Sequence, residues 1–145
     1  MYRTNGDVGV TKLNFLALAV AYNSGIAIPF FWMLLPKKGN SNTSERKQLM
    51  NRFLSVFGVE KIAYMTADRE FKSKGWLQYL MNHRISFCLR ILNNTKVWNK
   101  HKNQPLKVSR LFGLRLEKQM SLNKSRTICG IKVYLSCAIG PKKFE

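Results

Sequence analysis

The chain has 145 residues, of which 25 are Lys or Arg and 7 are Asp or Glu, so its formal net charge is +18. A hydrophobic content of 46% is ordinary for a globular protein and argues against wholesale disorder. The charge favours a polyanionic partner, because each cation that meets a phosphate releases a condensed counterion. Asp7 and Asp68 are the only aspartates, which limits any mechanism that needs several carboxylates.

The positive charge is concentrated in the second half of the chain. Residues 73–145 carry a net charge of +13, against +5 for residues 1–72. The three cysteines are Cys88, Cys129 and Cys137. Their number is odd, so they cannot all pair in disulfides within the chain, and no two of them have the C-x-x-C spacing. They are typical of reduced thiols, so the sequence predicts a cytoplasmic protein.

The segment Leu13–Leu35 is largely apolar and is long enough to span a bilayer as a helix. A turn signal at Asn23-Ser24-Gly25 interrupts it, and both flanks are rich in aromatic and β-branched residues. We therefore predict a hairpin of two strands, Phe15–Tyr22 and Ile26–Trp32. Pro29 cannot donate to a sheet ladder, which places its strand at a sheet edge. A membrane-spanning segment remains the alternative.

A helix is predicted to follow, with Asn42 or Thr43 as its N-cap and Gly58 at its end. Glu45 lies in the first turn, where the helix dipole favours a negative charge. The apolar positions fall on one stripe, formed by Leu49, Met50, Phe53, Leu54 and Phe57. Three cations are expected largely off that stripe, and they are Arg46, Lys47 and Arg52.

The next segments alternate between strand and helix patterns. Lys61–Thr66 is a short β-like run that ends at Ala67-Asp68. A second helix is predicted over Ser73–Asn82, with its inward side chains being Trp76, Leu77, Leu80 and Met81. Apolar and polar residues alternate from Ile85 to Ile91, which predicts a half-buried strand. This order of elements indicates an α/β fold.

From Asn93 onward the chain is basic and rich in loops, without helical periodicity. Short β-like runs occur at Val108–Phe112 and Ile128–Ser136. The sequence therefore divides into a first unit over residues 1–92 and a β-rich second unit over residues 93–145.

Several segments of the first unit together resemble insertion-sequence transposases of the Asp-Asp-Glu class, in the group whose ribonuclease-H-like core is split by a β insertion. The resemblance covers about residues 3–92 in the family's order. Its segments are Arg3-Thr4-Asn5, Gly25–Trp32, Lys38–Arg46, Phe57-Gly58, Asp68–Phe71, Lys74–Trp76 and Ile85–Arg90. The fold that it implies is a partial ribonuclease-H-like core over residues 1–92, followed by an incomplete basic β insertion.

The resemblance also implies a function, namely DNA cleavage and strand transfer during transposition. The family's chemistry uses two Mg²⁺ ions held by three carboxylates. Asp68 matches the second metal-binding aspartate, and Arg69 and Glu70 complete its motif and would orient or buffer the site. The candidate DNA-binding cations are Arg90 and Lys74, and Arg90 could instead pair with Glu70.

Two positions depart from the family pattern. Tyr2 stands where similar transposases have their first aspartate, at the end of the first strand, and a phenol is a poor Mg²⁺ ligand. Asp7 is expected in the following turn, where it cannot replace that ligand. Glu145 has no context matching the family's final glutamate. Asp68 is thus expected to be the surviving carboxylate of three, on a core that lacks its first strand.

The sequence therefore predicts a transposase fragment that binds DNA, such as transposon ends, but does not cut it. A homodimer is possible by analogy with the family. Two alternatives stay open at this point, a small basic nucleic-acid-binding protein without transposition ancestry and a small membrane protein that uses Leu13–Leu35.

Overall fold

The structure is a computed structural model that describes residues 1–8, 11–21, 26–37, 39–99, 103–112 and 119–138. Contacts divide the chain into two units, Met1–Arg90 and Ile91–Glu145. Each unit has a cluster of buried apolar side chains of its own.

An antiparallel sheet of three strands begins the first unit. Its strands are β1 (Tyr2–Val8), β2 (Thr11–Ala21) and β3 (Ala27–Leu35), in the spatial order β1-β2-β3. The predicted antiparallel pairing of the two strands is confirmed, and Pro29 lies in the outer strand as expected; the predicted turn at Asn23-Ser24-Gly25 lies outside the described residues. Within the described ranges, no helix has the length and apolar character needed to cross a membrane. The apolar stretch that suggested a membrane span is thus divided between two paired strands.

The strand β1 corrects the expectation that the core lacks a strand before Phe15. It pairs with β2 over its whole length, from Tyr2 opposite Ala17 to Val8 opposite Thr11. Asp7 therefore lies in a strand, and its expected place in a turn was wrong. Gly6 and Gly9, near Asp7, favour a turn only locally, whereas pairing along the long apolar strand β2 gives the backbone groups of the ladder their partners.

The helix α1 (Thr43–Phe57) has the predicted bounds and cap. Asn42 Oδ1 accepts the N–H of Glu45 at 2.9 Å, and Glu45 Oε2 accepts the N–H of Asn42 at 2.7 Å, which is a complete capping box. Gly58 ends the helix with a φ of +77°, a conformation that glycine adopts without strain.

Asn42→Ala should lower the free energy of unfolding by about 1 kcal/mol, because it removes the side-chain acceptor of an N–H group in the first turn. Urea unfolding followed by circular dichroism would measure the change. Asn40→Ala is the control, since Asn40 is exposed and lies outside the cap. An Asn42 variant as stable as the control would contradict this role of the capping box.

The buried face of α1 includes one residue that the hydrophobic pattern placed elsewhere. Leu49, Met50 and Phe53 are buried as predicted, but Arg46 is buried with them at 4% exposure. Phe57, predicted on the stripe, is exposed, although its ring lies 5.0 Å from that of Phe53. These rings pack against Phe30 and Phe31 of β3, which joins the helix to the sheet.

Two short parallel strands complete the first unit. They are β4 (Met65–Ala67) and β5 (Phe87–Leu89), and α2 (Lys74–Asn82) lies between them in the chain. The predicted strand at Lys61–Thr66 begins later than expected, because Val59–Lys61 forms a 3-10 turn. In α2 the prediction was wrong for Met81, which is exposed, and Tyr79 is buried in its place.

The second unit consists of short antiparallel pairs. Its elements are β6 (Lys96–Asn99), β7 (Gln104–Lys107), α3 (Ser109–Phe112), β8 (Gln119–Ser121), β9 (Arg126–Ile128), β10 (Ile131–Val133) and β11 (Ser136–Ala138). The pairs are β6 with β7, β9 with β10, and β8 with β11. Val108–Phe112 was wrongly predicted as β-like, since four of its residues form α3. The run Ile128–Ser136 is broken by a turn in which Cys129 and Gly130 have positive φ.

Candidate functional site

Asp68 directly follows β4 and is exposed. Its Oδ1 accepts the N–H of Arg69 at 2.8 Å, so the side chain caps the 3-10 turn Arg69–Phe71. Arg90 lies at the same end of the parallel pair, because its N–H donates to the Ala67 carbonyl at 3.1 Å. The structure therefore brings Asp68 and Arg90 to the carboxyl ends of two adjacent parallel strands, where sites of α/β proteins form.

Glu70 is tied to the first strand of the sheet. Its carboxylate lies 3.3 Å from Arg3 Nε, and both side chains are mostly buried. Arg3 Nη1 also donates to the Gly39 carbonyl at 2.8 Å. The cation paired with Glu70 is thus Arg3, whereas the sequence suggested Arg90 as a possible partner. With its charge compensated, Glu70 is a weak candidate for a metal ligand.

Arg46 joins α1 to the segment that follows Asp68. Its Nε donates to Ser41 Oγ at 2.9 Å, a second nitrogen donates to the Ser41 carbonyl, and its guanidinium lies 4.6 Å from the ring centre of Phe71. Burial lowers the pKa of Arg46, and the positive charge of Arg3 adds to this, while the negative charge of Glu70 opposes it. Sequence reasoning missed this residue, although its spacing from Leu49, Met50 and Phe53 is that of the buried stripe.

Two contacts fix the first residues of the chain beside this site. The Met1 amine donates to the Thr66 carbonyl at 2.7 Å, and burial lowers the pKa of that amine. Further along both segments, Arg3 meets Glu70. The same two contacts therefore flank Tyr2 on the N-terminal segment and Asp68 on the segment that follows β4. The position where a first carboxylate is expected thus belongs to a segment tied to both sides of Asp68, and it holds a phenol.

The other predicted cations are at the surface. Arg69 is exposed, and Lys74 is the exposed first residue of α2, which begins after Ser73. The Ser73 hydroxyl is 3.0 Å from that of Thr43, a contact between the first turns of the two helices. Neither Arg69 nor Lys74 forms an ion pair with Asp68 in the part of the chain that the structure describes.

Comparison with known proteins decides the family. A family model described as a transposase DDE domain matches residues 13–130. The chain belongs to the DDE transposase family. Searches of curated proteins and of solved structures gave no match. The resemblance inferred from the sequence is confirmed, and the function of the family is DNA transposition.

Membership in this family raises the question of whether the residues fit its metal ions. DDE transposases are generally Mg²⁺-dependent, and two Mg²⁺ ions need several converging oxygen ligands. Among the described residues there is no group of three or more His, Cys, Asp or Glu that could hold a metal. Asp68 is exposed, and Glu70 is paired with Arg3. The described residues therefore do not fit a two-metal centre; Glu117, Glu145 and the side chain of Asp7 lie outside them.

Proposed function

We propose that this DDE transposase chain binds DNA in the cytoplasm but neither cuts nor joins strands by itself. The observation that carries the proposal is the environment of Asp68. Its carboxylate stands at the carboxyl ends of β4 and β5, and the nearest acidic side chain in sequence, Glu70, is bound to Arg3. Asp68 is in this view the remaining metal carboxylate of the family, and it does not hold Mg²⁺ at working concentrations.

The charges around Asp68 support binding of phosphate over binding of a divalent cation. Arg46, Arg69 and Arg90 belong to segments next to it, while Arg3 and Glu70 compensate each other, and the net charge of the chain is +18. Nearby positive charge repels a divalent cation and attracts a polyanion. Arg90 and Lys74, both exposed, are the cations we assign to DNA in this unit.

The fold supports a ribonuclease-H-like core for residues 1–92 and a β insertion for residues 93–145. An antiparallel sheet of three strands and a parallel pair lie in one unit, and the Met1–Thr66 hydrogen bond sets the start of β1 beside β4. The division of contacts after Arg90 supports a boundary in this region. A homodimer, as in the family, is part of the same proposal, and sedimentation analysis in the presence of transposon-end DNA would test it.

A nicking assay on supercoiled plasmid with Mg²⁺ or Mn²⁺ tests the catalytic part. We expect the wild-type chain, Asp68→Ala and the control Glu60→Ala to show the same background level of nicking. Glu60 is a suitable control because it is acidic, exposed and outside the site. Metal-dependent nicking that is lost in Asp68→Ala and kept in Glu60→Ala would contradict the proposal.

A second measurement tests DNA binding itself. Fluorescence anisotropy of labelled duplex DNA should show binding that weakens steeply with salt, and Asp68→Ala should bind as well as the wild type or slightly better, because it removes a negative charge. Single-stranded RNA of the same length is the comparison. A clear preference for RNA, or no binding of duplex at low salt, would refute a DNA-binding function.

A further inference from the structure

The ribbon formed by β6 and β7 has one buried face and one exposed face. Val97, at 2% exposure, and its neighbour Leu106 pack into the buried cluster of the second unit. On the opposite face the register pairs Lys96 with Lys107 and Trp98 with Pro105. All four of these side chains are exposed, and we call this surface the ribbon face.

The pairing of Lys96 with Lys107 is unfavourable in the isolated chain. Side chains directly opposite in an antiparallel pair lie about 5 Å apart at their Cβ atoms, and like charges there are destabilising. The described residues of the second unit include no Asp or Glu that could compensate them. The charge that relieves this repulsion must therefore come from outside the described part of this unit.

Trp98 adds an apolar surface next to the two ammonium groups. Its side chain is 48% exposed, although a ring of this size is usually well buried. The residues that join β6 to β7 in the sequence include Lys100-His101-Lys102, so the basic character continues along the chain between the two strands. An exposed aromatic ring on the same face as two lysines is suited to a ligand with phosphates and flat or apolar parts.

We propose that the ribbon face contacts the backbone of duplex DNA, with Lys96 and Lys107 on phosphates and Trp98 against the adjoining sugars. This inference rests on the proposed DNA-binding function and names the surface that carries it out in the second unit. A two-stranded ribbon is narrow enough to follow a groove of the duplex. Each lysine that neutralises a phosphate releases a counterion, and the phosphates remove the repulsion between the two lysines.

The test compares Lys96→Gln, Lys107→Gln and the double variant with the wild type, using duplex affinity as a function of salt. Each single substitution should reduce the slope of log K against log salt by about 0.9 and weaken binding about five- to tenfold near 0.1 M salt, because one phosphate is no longer neutralised. Lys132→Gln is the matched control, because Lys132 is an exposed lysine in another hairpin of this unit and stands opposite Thr127. We expect the control to change affinity less than twofold.

The urea unfolding midpoint of each variant distinguishes a defect in DNA binding from a defect in folding. Because each substitution removes the like-charge repulsion, the urea midpoint of Lys96→Gln and Lys107→Gln should equal or exceed that of the wild type. Weaker binding by a chain that is no less stable would support the ribbon face. A double variant with wild-type affinity and slope would overturn the inference, as would weaker binding confined to single-stranded DNA. If the wild type itself fails to bind duplex DNA, the proposed function falls, a result distinct from either of these.

Discussion

Replacing Trp76 with alanine should lower the free energy of unfolding by about 3–5 kcal/mol, since deletion of a large buried ring removes its transfer free energy and leaves a cavity. Trp76 has no exposed surface, and its ring stacks on Tyr79 with centres 5.4 Å apart. It lies on α2, which connects β4 to β5 in the chain. Asp68 and Arg90 directly follow those two strands. Repacking of side chains into the cavity left by Trp76→Ala would therefore disturb the site as well as the core.

A matched variant tests the cause of this destabilisation. Trp76 Nε1 is buried without a hydrogen-bond partner among the described residues. Trp76→Phe keeps an aromatic ring and removes that unpaired donor, so it should cost about 1 kcal/mol or less. Urea unfolding followed by far-ultraviolet circular dichroism measures both variants without depending on tryptophan emission. Equal destabilisation by the alanine and phenylalanine variants would contradict packing as the dominant effect.

Replacing Arg46 with alanine should lower the free energy of unfolding by about 2–4 kcal/mol. A hydrogen bond that involves a charged group contributes about 1.5–3 kcal/mol, and Arg46 donates to both the hydroxyl and the carbonyl of Ser41. The guanidinium also lies over the ring of Phe71, in the turn that follows Asp68. Arg46→Lys should recover only part of the stability, because a single ammonium cannot reproduce the planar fork that reaches both oxygens of Ser41.

A double-mutant cycle with Ser41→Ala isolates the interaction between the two side chains. Ser41→Ala alone should cost about 1 kcal/mol or more, and in the Arg46→Ala background it should cost close to nothing, because its partner is already absent. Gln48→Ala is the control, as Gln48 lies on the same helix and is exposed. Additive effects of Arg46→Ala and Ser41→Ala would show that the hydrogen bond between them does not stabilise the fold.

The helices of this chain could be predicted because their signals are local. Asn42, Glu45 and Gly58 mark the ends of α1, and the apolar spacing of its predicted stripe gives its buried face. Arg46 was assigned to the wrong face because hydrophobic periodicity treats every guanidinium as polar. Burial of Arg46 depends on Ser41, which supplies its acceptors, and on a ring from the turn after Asp68, and these partners are settled only by tertiary structure.

Strand β1 and the partner of Glu70 show the limit of sequence reasoning at the site. The strand forms through pairing with β2, which overrides the local turn tendency of Gly6 and Gly9. Arg3 and Glu70 are 67 residues apart, and no spacing in the sequence indicates that they meet. The position of Asp68 after a strand was predictable from the sequence, but the engagement of Glu70 in an ion pair was not.

The outer strand β3 has a consequence for how this protein behaves in concentrated solution. No charged residue occurs between positions 13 and 36, and Ile28, Trp32 and Leu34 of β3 are exposed. Such an edge is a template for pairing between molecules, and Pro29 blocks it at one position. Mutual repulsion of chains with a net charge of +18 keeps the edges apart, but this repulsion is screened beyond about 8 Å at about 0.15 M salt. Added salt should therefore lower the solubility of this chain and promote precipitation through β3.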